Sequence, residues 1–257
     1  MNKPKRKIVR TGLILGSLAL LTIIIVAGVL ILNTKGRTQV QVDIHQNKKL
    51  IHLSTFSEPP QFAIWLEDPN THELKTLFVT HRVAIGDWEG KANVPVALPH
   101  WFQLFRGNSK SGLAKDKKDS DMAITGATPK EDYFTVRAEV KPGSEWICWI
   151  EMNLAGDYNE AFPEFDRENL MEDEFACGQP ALLYKADIQA VENMKFVPVL
   201  HAQTIWENGE IRVEPVSEGI TSARNVFDTI RISIIKPKPK LIDKYKLEEE
   251  PVSQSAN

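Results

Sequence analysis

Cysteine is scarce in this chain, with two in 257 residues, Cys148 and Cys177. No CxxCH pair is present to attach a haem, and no HExxH to bind a catalytic zinc. No GxSxG elbow exists, and Ser111 and Ser144 lack a base at any recognisable spacing, so serine hydrolysis has no candidate. Strong positive charge is also missing. The formal net charge is −3, and most of the clustered base lies at the extreme N-terminus, which excludes a nucleic-acid binder. No internal repeat and no lipobox-like cysteine are found. These absences predict a protein that is not an enzyme.

What the sequence does have is one long apolar run. Residues 13–32, LILGSLALLTIIIVAGVLIL, carry no charge over twenty positions. At about 1.5 Å per residue such a helix spans the roughly 30 Å hydrocarbon core of a bilayer. Lys3, Lys5, Arg6, Lys7 and Arg10 precede it with no acid among them. By the positive-inside bias this holds the N-terminus in the cytoplasm. A cleaved signal peptide is the alternative, but the run exceeds a usual 7–15-residue apolar region and no small-x-small site follows. The expected plan is a cytoplasmic tail over 1–11, a membrane-spanning signal anchor over 12–33, an extracytoplasmic β domain over 34–240 and a disordered tail over 241–257. The location this predicts is a bacterial cell membrane, single-pass.

Beyond the anchor, Val40-Gln41-Val42-Asp43-Ile44 alternates apolar and polar as a half-buried strand does. Residues 62–66 and 74–79 flank the turn signal Asp68-Pro69-Asn70 and predict a hairpin. Further strands are expected at 134–140, 145–153, 181–187, 210–214 and 229–235. A short helix is expected at 98–106, and the lysine-rich stretch 107–121 reads as an exposed loop. Trp146-Ile147-Cys148-Trp149-Ile150 is apolar on nearly both faces, which marks the central strand. A hairpin turned at Lys141-Pro142-Gly143-Ser144 is expected to join it to 134–140. Eight short strands with turn-rich spacers predict a mainly β fold, an immunoglobulin-like β-sandwich with insertions.

Four groups of residues could carry chemistry. Asn153 to Glu174 holds eight carboxylates against one arginine. Asp157, Asn159, Glu160, Glu164 and Asp166 could supply the hard oxygens calcium prefers, although the spacing is not that of an EF-hand. A solvated acidic loop is the plain alternative. Cys148 and Cys177 either pair as a disulfide in an oxidising compartment or, for Cys148, form part of the core as a buried thiol. His45, His52, His72, His81, His100 and His201 are scattered, and only His81 and His100 flank a common region. Six tryptophans are core residues if buried at strand and helix positions, or stacking platforms for sugars or a partner if exposed.

The fourth group is Thr125-Gly126-Ala127-Thr128. It resembles the site at which extracytoplasmic flavin-binding domains take FMN as a phosphoester on the final threonine. The resemblance implies Thr128 as the attachment point, with Thr125 and Gly126 completing the motif. That pattern places an aspartate three residues before the first threonine, where this chain has Met122, with Asp121 one position earlier. A Gly-Ala turn leading into the next strand is the other reading of the same residues.

Phe62-Ala63-Ile64-Trp65-Leu66-Glu67-Asp68, then Leu77-Phe78-Val79, then Leu98-Pro99-His100-Trp101 and the Thr-Gly-Ala-Thr turn together resemble a family of periplasmic domains of unknown function, family 2271, over residues 60–155. The resemblance implies an immunoglobulin-like sandwich and a neighbourhood of PepSY membrane proteins and flavin transferases. It implies no reaction. The function expected is a non-catalytic binding or accessory subunit of a membrane-associated assembly, redox or metal-handling in context. An electron carrier with FMN on Thr128 and a calcium-braced cell-envelope binding module are the alternatives.

Overall fold

The structure is a computed structural model that describes residues 4–34, 36–85, 87–88, 91–92, 97–105, 125–207 and 209–237. The loop expected at 107–121 and the tail expected at 241–257 lie outside the described residues. The chain divides into two compact units, and Gln39–Ile235 forms one of them.

The other unit contains α1, Pro4–Thr34. Its side chains are described over 16–32. Leu18, Leu20, Ile23, Ile24 and Ile31 are each more than half exposed. Thr22 donates its hydroxyl to the Leu18 carbonyl at 2.9 Å, so the helix satisfies this polar group within itself. Among the described residues no helix is long and apolar enough to cross a membrane. The side chains described on α1 are fewer than the twenty of the charge-free run, so the expectation of a spanning helix continues to rest on the sequence.

The larger unit is mainly β, built of antiparallel sheets. In chain order its elements are β1 Thr38–Gln46, α2 Lys48–Leu53, β2 Gln61–Glu67, β3 Leu74–Thr80, α3 His81–Ile85, β4 Asp87–Trp88, β5 Lys91–Ala92 and α4 Pro99–Phe105. They continue as β6 Thr125–Gly126, β7 Tyr133–Val140, β8 Glu145–Asn153, β9 Phe165–Asp166, β10 Met171–Glu172, β11 Ala181–Gln189, β12 Lys195–Phe196, β13 Val199–Glu207 and β14 Glu210–Glu214. A short 3₁₀ turn, Ser222–Asn225, and β15 Phe227–Ile235 complete the unit.

One sheet runs β12-β15-β1-β7 and the other β14-β13-β11-β8-β2-β3-β6. β1 shows why the first is a layer with one wet face. Its burial alternates strictly along its length, with Val40, Val42 and Ile44 inward and Gln41, Asp43 and His45 outward. On the wet face Thr135 of β7 donates to Asp43 at 2.7 Å, and Arg137 donates to Gln41 at 2.7 Å. The descending order of these partners is that of an antiparallel pair.

The seven-stranded sheet is covered on both faces. Toward the first sheet it presents Phe62, Ile64, Cys148, Ile150, Leu182 and Tyr184, which form one core with Val42, Val136, Ile230 and Ile232. Phe62 joins the layers. Its ring lies 5.0 Å from Phe78, 5.1 Å from Phe134 and 5.3 Å from Phe227. The opposite face presents Ala63, Trp65, Val79, Leu183 and Ala202, a second apolar cluster completed by Val83 of α3, Trp101 of α4 and Leu98 just before α4.

β8 is the middle strand of seven, as its two apolar faces predicted. The hairpin expected at 141–144 does not form, because β7 and β8 lie in different sheets. The physical reason is visible in the side chains. Thr135, Arg137 and Glu139 need a wet face, whereas β8 is buried on both. The turn is therefore a crossover between layers, with Gly143 at φ +76°. The hairpin of β2 with β3 forms as expected, with a register shift between Ile64 and Trp65.

Candidate functional site

The densest assembly of polar and aromatic groups among the described residues sits where α4 lies on the outer face of the seven-stranded sheet. Its centre is Glu151. Alternation along β8 puts Glu151 on the same face as Trp149, in register with Ala63 of β2 and Leu183 of β11. Its side chain is fully buried. A buried carboxylate is costly unless its lone pairs are filled. Here the His100 amide donates to Oε1 at 3.0 Å and the Trp101 amide to Oε2 at 2.7 Å. The Thr204 hydroxyl of β13 donates to Oε1 at 2.5 Å. Burial pushes the Glu151 carboxyl up to about 7, against the pull of these three bonds.

Around it the rings form a continuous layer. Trp65 stacks at 19° on Trp149, 6.4 Å between centroids, and meets His100 at 5.9 Å. Trp149 has His201 at 5.5 Å and the Lys185 ammonium 5.7 Å from its centroid. Its indole N–H donates to Glu67 at 2.7 Å, and the other Glu67 oxygen meets His72 at 2.8 Å. Burial lowers the pKa of His100, with Glu67 opposing and His201 adding to the shift. Trp65 Nε1, Trp101 Nε1 and His100 Nδ1 are buried with no hydrogen-bond partner among the described residues. The set can hold a carboxylate and an imidazole in a shielded apolar layer, and it presents ring N–H donors to it. Beneath α4 the Glu151 side chain is fully buried.

Sequence reasoning passed over Glu151. The signal was present, since a single carboxylate in the strand Trp146-Ile147-Cys148-Trp149-Ile150-Glu151-Met152 occupies a position that the apolar pattern reserves for the core. For the tryptophans the core reading holds at Trp65 and Trp101, while Trp146, Trp149 and Trp206 are half-buried. The side chain of Trp88 lies outside the described residues.

The five oxygen-bearing residues proposed for calcium are not brought together. Asp157 is buried in a network of its own, accepting from Ser222 at 2.7 Å and from the Gln179 amide at 2.8 Å. Burial raises its pKa against the Ser222 bond. Asn159 donates to the Gly219 carbonyl and Thr221, Asp166 caps its own turn through the Glu168 and Asn169 amides, and Glu160 and Glu164 are exposed. Among the described residues no group of three acidic, histidine or cysteine side chains is placed to hold a metal ion.

The histidines are likewise dispersed. His45 pairs with Asp228 at 2.6 Å on the wet face of the four-stranded sheet, and His52 and His81 are exposed. His81 and His100 do not share a site.

Thr125 and Gly126 form β6, which pairs in parallel with Val79 and Thr80 at the edge of the seven-stranded sheet. A Cβ on Gly126 would come within 2.8 Å of the Phe78 ring, so packing against Phe78 already accounts for glycine there. Thr128 is half-buried and accepts from Gln61 Nε2 at 3.3 Å.

Of the two readings left open for the cysteines, the structure favours the unpaired one. Cys148 and Cys177 are free thiols. Cys148 faces the core between the sheets, and Cys177 packs against the cluster on the far side of the seven-stranded sheet. Burial pushes the Cys148 thiol up to about 12 and raises that of Cys177 as well. Iodoacetamide is therefore expected to leave Cys148 unmodified in the native protein and to add two carbamidomethyl groups after denaturation without reductant. No adduct under those conditions, restored to two by reductant, would show a pair. No known protein family, curated protein or solved structure matches the chain.

Proposed function

We propose that this chain is a bitopic membrane protein whose extracytoplasmic β domain serves as a non-catalytic binding or accessory subunit of a membrane-associated assembly. The observation that carries the reading is α1, where leucine and isoleucine side chains stand exposed over residues 16–32 of a helix whose first turns carry Lys5, Arg6, Lys7 and Arg10 in the sequence. Exposed apolar surface of that extent is stable in lipid and unfavourable in water. The two antiparallel sheets sharing one core support an immunoglobulin-like sandwich with insertions. The resemblance over 60–155 supports a redox or metal-handling context. In cells, the protein is expected to stay with the membrane pellet through alkaline carbonate washing. Protease added to spheroplasts is expected to degrade the C-terminal domain, and removal of residues 1–35 to release it as a soluble protein. Recovery of the full chain in the soluble fraction, or a protected C-terminus, would overturn the reading.

The second reading is an electron carrier with FMN on Thr128. Its support is the position of the Thr128 hydroxyl, half-buried just beyond an edge strand and bonded to one side chain. Intact mass of the domain secreted with a co-expressed flavin transferase decides it. An FMN adduct abolished by Thr128→Ala supports the carrier, and an unmodified mass rejects it.

A further inference from the structure

The outer face of the seven-stranded sheet is closed by α4 through a single buried carboxylate. The first-turn amides of His100 and Trp101 end on the two Glu151 oxygens, and Thr204 fixes the carboxyl from β13. Beneath and beside it lie Ala63, Trp65, Leu183 and Ala202, with Leu98 and Trp101 above. The titratable groups on this face of the surrounding strands are Glu67 of β2, Glu145 at the start of β8, Lys185 and its ion-pair partner Asp187 of β11, and His201 of β13, and α4 itself brings His100. Glu67, Lys185, His100 and His201 gather around Trp149, two positions along β8 from Glu151. Arg212 of β14, which α4 also touches, is held by Glu207 and Glu214. None of them makes an ion pair or hydrogen bond to the Glu151 side chain among the described residues.

A carboxylate without a cation in an apolar layer favours its neutral form, and the same group in water favours its charged form. Moving α4 aside is what would give Glu151 water. The closed arrangement therefore holds a proton that the open one releases. We propose that α4 is a flap whose closure on the sheet is coupled to the uptake of one proton at Glu151, so that it closes most firmly in acidic medium and loosens as the medium turns alkaline. The upward displacement of the Glu151 carboxyl to about 7 supports the same direction. On protonation at Oε1, Oε2 still accepts from the Trp101 amide and the Thr204 hydroxyl turns to accept from the acid, while the His100 amide bond to Oε1 is weakened. What opening uncovers is an aromatic floor of Trp65, with Trp101 on the flap itself.

Hydrogen exchange of the full chain in detergent micelles, read by mass spectrometry over 97–105, tests this. Protection is expressed relative to the unstructured rate at each pH, which removes the trivial effect of hydroxide. Between pH 5.5 and 8.5 the α4 protection is expected to fall by a factor on the order of ten or more, since each unit of pKa difference is worth tenfold in the closed-to-open ratio. Glu151→Gln, which keeps an acceptor but cannot titrate, is expected to give a pH-independent protection, whatever its level. Thr204→Val removes a donor to the charged form and is expected to move the wild-type midpoint upward by roughly half a pH unit. A wild-type protection that does not change with pH, or a dependence that survives in Glu151→Gln, overturns the proposal. Should Glu151→Gln not fold, an unmoved midpoint in Thr204→Val overturns it as well.

Discussion

Replacing Phe62 by alanine is expected to lower the unfolding free energy of the β domain by about 3–5 kcal/mol, the range for emptying a buried aromatic site. Phe62 is fully buried and touches Phe78 within its own sheet as well as Phe134 and Phe227 across the interlayer core. Rings at these separations gain edge-to-face attraction in addition to burial. The cavity would open between two sheets that the three contacts now hold in register, and neither sheet can collapse into it without losing alternation elsewhere. Because whole domains are stable by about 5–15 kcal/mol, the variant would stand near the limit of folding. Urea unfolding followed by tryptophan fluorescence measures the loss. Phe165→Ala, at a side chain 48% exposed on β9, serves as the control and is expected to change stability by about 0.5 kcal/mol or less. Equal losses in the two variants would contradict the layered core.

The second large effect is on pH dependence. The Glu151 carboxyl moves from an ordinary value of 4.5 in the unfolded chain to about 7 in the fold. The folded state thus binds this proton more tightly. Its stabilising contribution is fully present below about pH 4.5 and is lost as the pH rises through 7. At 1.36 kcal/mol per unit the loss is on the order of 3 kcal/mol. Asp157, also raised by burial, adds in the same direction. His100, held neutral by burial, works in the opposite sense and contributes stability above its ordinary pKa that is lost as pH falls. The comparison that isolates Glu151 is the unfolding free energy of wild type minus that of Glu151→Gln, followed from pH 4.5 to 8.5. This difference is expected to fall as pH rises. A flat difference would mean that the three hydrogen bonds outweigh burial and keep the carboxyl ionised throughout.

Much of the strand pattern was legible because side-chain periodicity reports burial directly. β8 and β14 occupy the residues that alternation and turn signals assigned to them, and β1, β2, β3, β7, β11 and β15 overlap their expected spans. β13 was not anticipated, since Val199-Leu200-His201-Ala202-Gln203-Thr204 mixes small and polar residues on both faces. Two of those, Gln203 and Thr204, are buried because their partners, the Ser217 amide and Glu151, are distant in sequence. The helix α2 was missed too, and its cap is a local one, Asn47 accepting from the Leu50 amide at 3.4 Å.

By itself the sequence determined an apolar, charge-free N-terminal run with a basic flank, a mainly β fold and β8 as the central strand, because all of these depend on near-neighbour patterns of polarity. Only the tertiary structure decided which layer each strand joins. It separated β7 from β8, because the polar face of one needs water and the other has no such face. It also decided that the two cysteines face opposite sides of a sheet, that Asp157 and Asp166 are engaged in separate places while Glu160 and Glu164 are exposed, and that Glu151 lies beneath α4. The bonds that place Glu151 beneath α4 join residues 50 or more positions apart, and no local spacing encodes them.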